Sequence, residues 1–242
     1  MKRKQVLKII VDILMTFVLL LLMARSLVGD AAHEWLGIGM FALFVAHHIL
    51  NSKWSRSLFR GNYTPFRVLQ TELVVLVLIS MIGSMVSGIV ISRYDLTFLP
   101  ISGGSAWART LHMLCAYWGF VFMSLHLGLH WSVVMGMAKR LTTKPSRIRA
   151  WILRAVAILI AGYGIFAFHR RNIGEYMMLR SMFVFFDFSE PLILFLLDYL
   201  AVMGLFVCIG HYFIGGRGHW LRGESNDSVS GYKLATKNSK NA

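Results

Sequence analysis

The sequence predicts an all-α integral membrane bundle of about six transmembrane helices, four of which form a repeated helical hairpin. Three observations predict it. Hydrophobic residues make up 57% of the 242 and charged residues only 15%, well under the ~25% charged content of an average soluble domain. The charges gather in short segments between long apolar runs, the pattern of membrane spans rather than of one water-soluble core. Two of those runs carry histidines at the same interval.

A span needs roughly 20 apolar residues. Six segments qualify, over residues 6–28, 33–52, 67–92, 107–137, 151–168 and 191–214. The first follows Lys2, Arg3 and Lys4. Its apolar stretch, Val6 to Leu27, is longer than a signal-peptide core, and no small-x-small cleavage pattern follows. It reads as a retained span. Residues 1–214 then form one membrane domain. Residues 215–242, rich in Ser, Asn, Lys and Gly, read as a polar, flexible tail. Pro65, Pro100, Pro145 and Pro191 all fall at span edges.

The formal net charge is +14. The basic residues lie beside apolar runs, where they meet anionic lipid headgroups, so nucleic acid is excluded as the partner. Lys2, Arg3, Lys4 and Lys8 precede span one. Lys53, Arg56, Arg60 and Arg67 lie between spans two and three, and Lys139, Arg140, Lys144, Arg147, Arg149 and Arg154 between four and five. Alternating spans put all three groups on one side, which the positive-inside rule makes cytoplasmic, with both termini inside. The fifth loop, 169–190, balances Arg170, Arg171 and Arg180 against Glu175, Asp187 and Glu190. Its Phe183, Phe185, Phe186 and Phe188 are expected at the membrane interface. The two cysteines, Cys115 and Cys208, sit inside apolar runs and read as small buried residues. No Cys-x-x-Cys occurs, which argues against a dithiol, a zinc finger and a c-type haem attachment.

Ionisable residues inside spans are costly and call for a reason. Span two contains His33 and His47, and span four contains His112 and His126; 47 − 33 = 14 and 126 − 112 = 14. Fourteen residues turn an α-helix through about 1400°, ~40° short of four turns, and rise about 21 Å. Each helix therefore shows two imidazoles on nearly one face, towards opposite sides of the bilayer. The pairs are also in register, since 112 − 33 = 79 and 126 − 47 = 79. His33 is then level with His112 on the outer side, and His47 with His126 on the inner side. Two levels with a facing imidazole pair at each are the geometry for two six-coordinate b-type haems stacked across a membrane, one axial nitrogen coming from each helix.

Neighbouring residues suit that expectation. Gly37 and Gly119 lie near the ligand faces of their helices and leave room for a macrocycle. Arg109, one turn before His112, is a candidate cation for outer haem propionates, as are Arg25 and Arg93; Lys53, Arg56 and Arg140 are inner candidates. Trp35, Trp107, Trp54 and Trp131 bracket the two helices. His48 rivals His47 but breaks the register and points about 100° away. His130, matching Asn51 in the repeat, is a candidate neighbour of the inner haem or of a quinone headgroup, and His211 is similarly placed near the inner end of span six. No residue set specifies the quinone. His169 and His219 read as loop residues. In span three, Gly83, Ser84, Ser87 and Gly88 form a small-residue surface for close helix packing.

His33-Glu34-Trp35-Leu36-Gly37, His47, His112, His126 and Phe185-Phe186-Asp187-Phe188-Ser189-Glu190-Pro191 resemble the bacterial flavinylation-associated cytochromes. The resemblance covers all six spans. It implies a di-haem protein of the bacterial cytoplasmic membrane, passing electrons between the membrane or cytosol and an extracytoplasmic protein that carries covalent FMN. The histidine spacing is also similar to that of respiratory cytochrome b and of the membrane portion of ferric reductases. The chain departs from ferric reductases in lacking a soluble nucleotide- or FAD-binding domain, and His112-Met113-Leu114 replaces the first hairpin's His-Glu-Trp. Two other classes compete. A transporter or channel would have Gly/Pro-interrupted spans at matching positions in two halves. A haem-free membrane anchor would make the histidine register coincidental.

Overall fold

The computed structural model describes residues 3–58, 63–94, 103–140 and 146–215. Lys2, Arg60, Pro100, Lys144, Pro145, His219 and the expected tail from residue 216 lie outside the described residues. Within them every regular element is helical. The order is α1 (Arg3–Met23), α2 (Arg25–Val28), α3 (Asp30–Leu50), α4 (Ser52–Ser57), α5 (Pro65–Ile91), α6 (Ser105–Leu129), α7 (Trp131–Arg140), α8 (Arg147–Arg170), α9 (Ile173–Met177) and α10 (Leu192–Ile209), which runs on into a π-helical turn, Gly210–Gly215.

Five helices, α1, α5, α6, α8 and α10 with its continuation, are long and apolar enough to cross a membrane. The sixth expected span is α3. Its 21 residues give about 32 Å, enough to cross. Asp30, His33, Glu34, His47 and His48 keep every stretch of it less apolar than the best stretch of each of the other five. The chain is thus a multi-pass, all-α membrane bundle. Large apolar side chains face outward along α8 and α5, among them Ile158, Leu159 and Ile79. In water such a surface would be unfavourable; against lipid tails it is not.

Local chemistry sets the ends of the helices. Pro65 occupies the first turn of α5, where its missing N–H costs nothing, and the Thr64 hydroxyl accepts from Arg67 N at 3.3 Å. Ser146 caps α8 by accepting from Arg149 N. Gly29 has φ +89°, a conformation that lets the chain turn from α2 into α3 without a Cβ clash.

The helices pack as three hairpins: α1 with α3, α5 with α6, and α8 with α10. The centre is α6, which has α5 on one side and α10 with the π turn on the other. Accordingly α6 buries Tyr117, Phe120, Val121 and Ser124. At the periphery, α3 rests on α1, touches α5 lightly and buries only Met40. Close crossings are built on glycine. A Cβ on Gly128 would meet the Val207 carbonyl oxygen at 2.5 Å, and one on Gly164 would collide with the Ala201 carbonyl oxygen. Removing the side chain is what brings these backbones together.

The two ends of the bundle are chemically distinct. One gathers Arg25 with Asp30, and Glu34 with residues 92–94. The other gathers Lys8 with Asn51, and Gln70 with His130. These are the two ends that the loop charges of the sequence lead one to expect outside and inside, respectively. The segment after α8 does not lie wholly along the outer surface. Its α9 is buried, with Tyr176 against Tyr117 and the Met177 carbonyl accepting from Trp118 Nε1 at 2.9 Å. Tyr117 is twelve residues into α6, so α9 tucks about 18 Å below its start. The aromatic run divides: Phe183, Phe185 and Phe188 are strongly exposed, while Phe186 stacks on Phe195.

Substituting Gly164 by Val should force α8 off α10 and lower stability by about 1–3 kcal/mol. Gly162, where a Cβ meets nothing within 4 Å, is the control. Thermal unfolding in mild detergent should show a lower midpoint for Gly164→Val than for Gly162→Val; equal midpoints would remove the close-crossing argument.

Candidate functional site

The two outer histidines meet. His33 stands in the first turn of α3, its N–H bonded to the Gly29 carbonyl. His112 stands on the side of α6 that looks towards α3. Their ring centroids are 6.1 Å apart, with the planes at 72°. The helices themselves make no more than marginal backbone contact. The imidazoles therefore bridge a gap between helices.

His112 is held by α5. Its Nδ1 lies 3.1 Å from the Ser84 carbonyl oxygen and 3.2 Å from Ser87 Oγ. The Ser87 hydroxyl donates to the Gly83 carbonyl at 2.5 Å. With Nδ1–H donating to Ser84, Nε2 is the nitrogen left with a lone pair. A Cβ on Gly88 would come within 3.6 Å of His112 Cε1. The small-residue surface of α5 is thus the bed on which His112 lies. Gly119 also serves that packing: a Cβ there would be 3.2 Å from Ser80 Cβ, so its bareness lets α5 and α6 approach. Gly37 differs, because a Cβ there meets nothing within 4 Å. It leaves open space one turn below His33.

The inner histidines gather differently. His47 Nδ1 is 2.8 Å from Asp12 Oδ1 on α1. Asn51 donates from Nδ2 to the His47 carbonyl at 2.9 Å, and the same Nδ2 stands 3.4 Å from His47 Nε2. Lys8 Nζ donates to Asn51 Oδ1 at 2.6 Å. On α6, the His126 and His130 rings lie 4.8 Å apart, and Gln70 of α5 reaches His130 Nε2 at 3.4 Å. Asp12 and His47 lie within electrostatic range of both His126 and His130. One cluster therefore draws on α1, α3, α5 and α6. Its two central rings, His47 and His126, do not face each other as the outer pair do. His48 turns along its own helix, with Nδ1 3.0 Å from the Phe44 carbonyl oxygen and its ring stacked on Phe44.

Two of the four histidines hold a buried ring nitrogen without a partner: His33 Nδ1 and His126 Nδ1. Such atoms are rare in folded proteins and require an explanation. Among the described residues no three or more His, Cys, Asp or Glu are arranged to hold a bare metal ion. The outer level holds one facing pair, His33 and His112, and the inner level gathers His47, His126 and His130 in one cluster.

Of the cations expected near the outer pair, Arg109 is exposed on the first turns of α6. Arg25 is the one within electrostatic range of both His33 and His112, while paired to Asp30 at 2.9 Å. Glu34, beside His33, accepts from Ser92 Oγ at 2.6 Å and from the N–H groups of Arg93 and Tyr94. This carboxylate ties the start of α3 to the end of α5. His211 sits on the π turn beside Tyr212, and His169 at the end of α8 against Phe168.

Two polar features were not singled out by the histidine pattern. Asp12 is one. The other is Asp198 on α10, which is 1% exposed. Its carboxylate accepts from Tyr163 Oη at 2.6 Å and Arg171 Nε at 2.7 Å, with Arg170 at 3.4 Å. Glu190 takes the other side of Arg171 at 2.5 Å. Burial works against the Arg171 cation, but the bonds to Glu190 and Asp198 outweigh it and hold its pKa above the usual arginine value. The signal for both aspartates was present, namely an acid inside an apolar run.

No protein-family model, curated protein or solved structure matches the chain.

Arg171→Ala should leave Asp198 buried without its main cation and cost about 3–5 kcal/mol. Adding Asp198→Asn should recover part of that loss. A thermal-melt double-mutant cycle tests both; additive effects would show that the two groups are not coupled.

Proposed function

We propose that this chain is a transmembrane electron conduit with two b-type haems, His33 and His112 holding the outer one and His47 and His126 the inner. The observation that carries the reading is the outer pair. Imidazole nitrogens bind first-row metals at about 2 Å; adding the ring radius on each side, two opposed ligands place their ring centres roughly 6 Å apart. His33 and His112 stand at 6.1 Å, close to that separation. The gap between α3 and α6 and the open space at Gly37 fit the same group.

The chain's own residues supply position and surroundings. Ser84 fixes the tautomer of His112, and Asp12 that of His47, each leaving Nε2 as the ligating nitrogen. Arg25 offers a cation to an anionic propionate at the outer end. Bound there, haem b supplies an iron that reversibly takes up one electron. The two ligand levels are about 21 Å apart along the helices, so the ligand set reaches towards both faces of the membrane.

On this reading both termini are cytoplasmic, which the positive-inside pattern of the loop charges supports, and the membrane is the bacterial cytoplasmic membrane that the family resemblance implies. Electrons would then pass between a quinol or cytoplasmic donor and an extracytoplasmic, flavin-bearing protein. The exposed Phe183, Phe185 and Phe188 lie on the side where that acceptor would dock.

The test is a dithionite-reduced minus oxidised spectrum of the protein in mild detergent, with haem counted by pyridine haemochrome. Two haem b per chain are expected. His112→Ala and His47→Ala should each lose about one, while His48→Ala keeps both. A colourless protein from cells with ample haem would end the reading and favour a transporter or an anchor.

A further inference from the structure

Between Lys8 and Arg25, α1 carries one ionisable side chain, Asp12. A carboxylate in an apolar span is expensive unless something repays it. Here it is bound to His47 Nδ1 at 2.8 Å, from a different helix and 35 positions away. The corresponding nitrogen of His112 at the outer level has only neutral partners, the Ser84 carbonyl and the Ser87 hydroxyl. The two levels share a ligand type but differ in what stands behind it.

We propose that Asp12 is a positioning residue that orients His47 and makes the inner haem site the lower in potential of the two. The inference rests on the haem reading above and adds an asymmetry to it. A carboxylate accepting from Nδ1–H draws the proton towards itself and raises the electron density at Nε2. A more basic axial ligand stabilises oxidised iron over reduced iron, which lowers the potential. A carbonyl oxygen does this less, because it carries no net charge.

The other charges do not cancel the difference. Lys8 binds Asn51 rather than Asp12 or His47. At the outer end Arg25 acts on both rings, while Asp30 and Glu34 act on His33 in the opposite sense, so the net field there is small beside a carboxylate bonded directly to a ligand ring. Asp30 is paired to Arg25, and Glu34 accepts from three donors at residues 92–94. Asn51 Nδ2 donates to the His47 carbonyl at 2.9 Å and stands 3.4 Å from Nε2, a longer contact that a ligand at Nε2 would displace. With the lower potential inside, an electron runs downhill from the inner site to the outer.

The test is a spectroelectrochemical titration of the full chain in detergent, comparing wild type, Asp12→Asn and Asp12→Glu, with haem counted in each. Wild type should show two one-electron components. In Asp12→Asn the lower should rise so that its reduced-to-oxidised ratio at fixed potential grows about tenfold, ~59 mV for one electron, with the upper unmoved. Asp12→Glu should restore the wild-type value. Loss of one haem in Asp12→Asn and its return in Asp12→Glu would equally support the role. Two haems with unchanged potentials, a shift in the upper component, or haem loss in both variants would overturn it. A wild type without haem is a separate failure, because it removes the haem reading itself.

Discussion

The constraint on which the rest of this bundle depends is the cost of placing an ionisable group in hydrocarbon. Three acids inside the spans, Asp12, Glu34 and Asp198, have been brought to partners on or at the ends of other helices, and those partners help decide which helices lie together. Asp198 recruits Tyr163 and Arg171, and so fastens α8 to α10. Glu34 recruits the three donors at 92–94, and so fastens α3 to the end of α5. Asp12 recruits His47, and so fastens α1 to α3. Apolar packing offers no comparable choice between lipid and protein, because a leucine gains little by leaving lipid for a neighbouring helix. Specificity comes from the polar pairs and from the glycines that let backbones touch.

The legible part of the sequence was what depends on one helix at a time. Apolar runs gave the helices, and the 14-residue spacing put each histidine pair on one face. The 79-residue register also predicted which histidines share a level, and His33 with His112 meet as that register requires. What the register did not carry was depth. Phe41 and Phe120 occupy matching places in the repeat, yet Phe120 is 0% exposed and Phe41 is 51% exposed. The cause is the third hairpin, which packs α10 on α6 and leaves α3 at the edge. A repeat in sequence fixes the pattern within each hairpin but not what later elements cover.

Gly119, Arg109 and α9 show the same limit. Gly119 lies near the histidine face on a helical wheel, but its use is decided by Ser80 of a neighbouring helix. Arg109 is near His112 along α6, whereas Arg25 is near in space, delivered by the turn at Gly29. The chain after α8 reads as an outer loop from its charges, and half of it is exposed at the surface of the bundle. The other half, α9, is drawn inward because Trp118 needs an acceptor and finds the Met177 carbonyl. Each difference arises from a contact between segments far apart in sequence, which periodicity within a segment cannot report.

The attachment of α3 brings these points together. It buries one residue, and it faces α6 through a histidine rather than through packed backbones. A helix so placed is held at its ends, by Glu34 above and by His47 with Asn51 below. That is a poor design for a span whose task is to fill space, since its middle forgoes the contacts that α6 makes with α5. It is a good design for a span whose task is to keep a fixed distance from α6. On the proposed reading, coordination from both sides would close the gap twice, at the two levels where each helix presents a nitrogen. The polar ties at the ends would then set the spacing before any ligand arrives. Preorganisation of that kind lets binding free energy go into coordination rather than into ordering the helix.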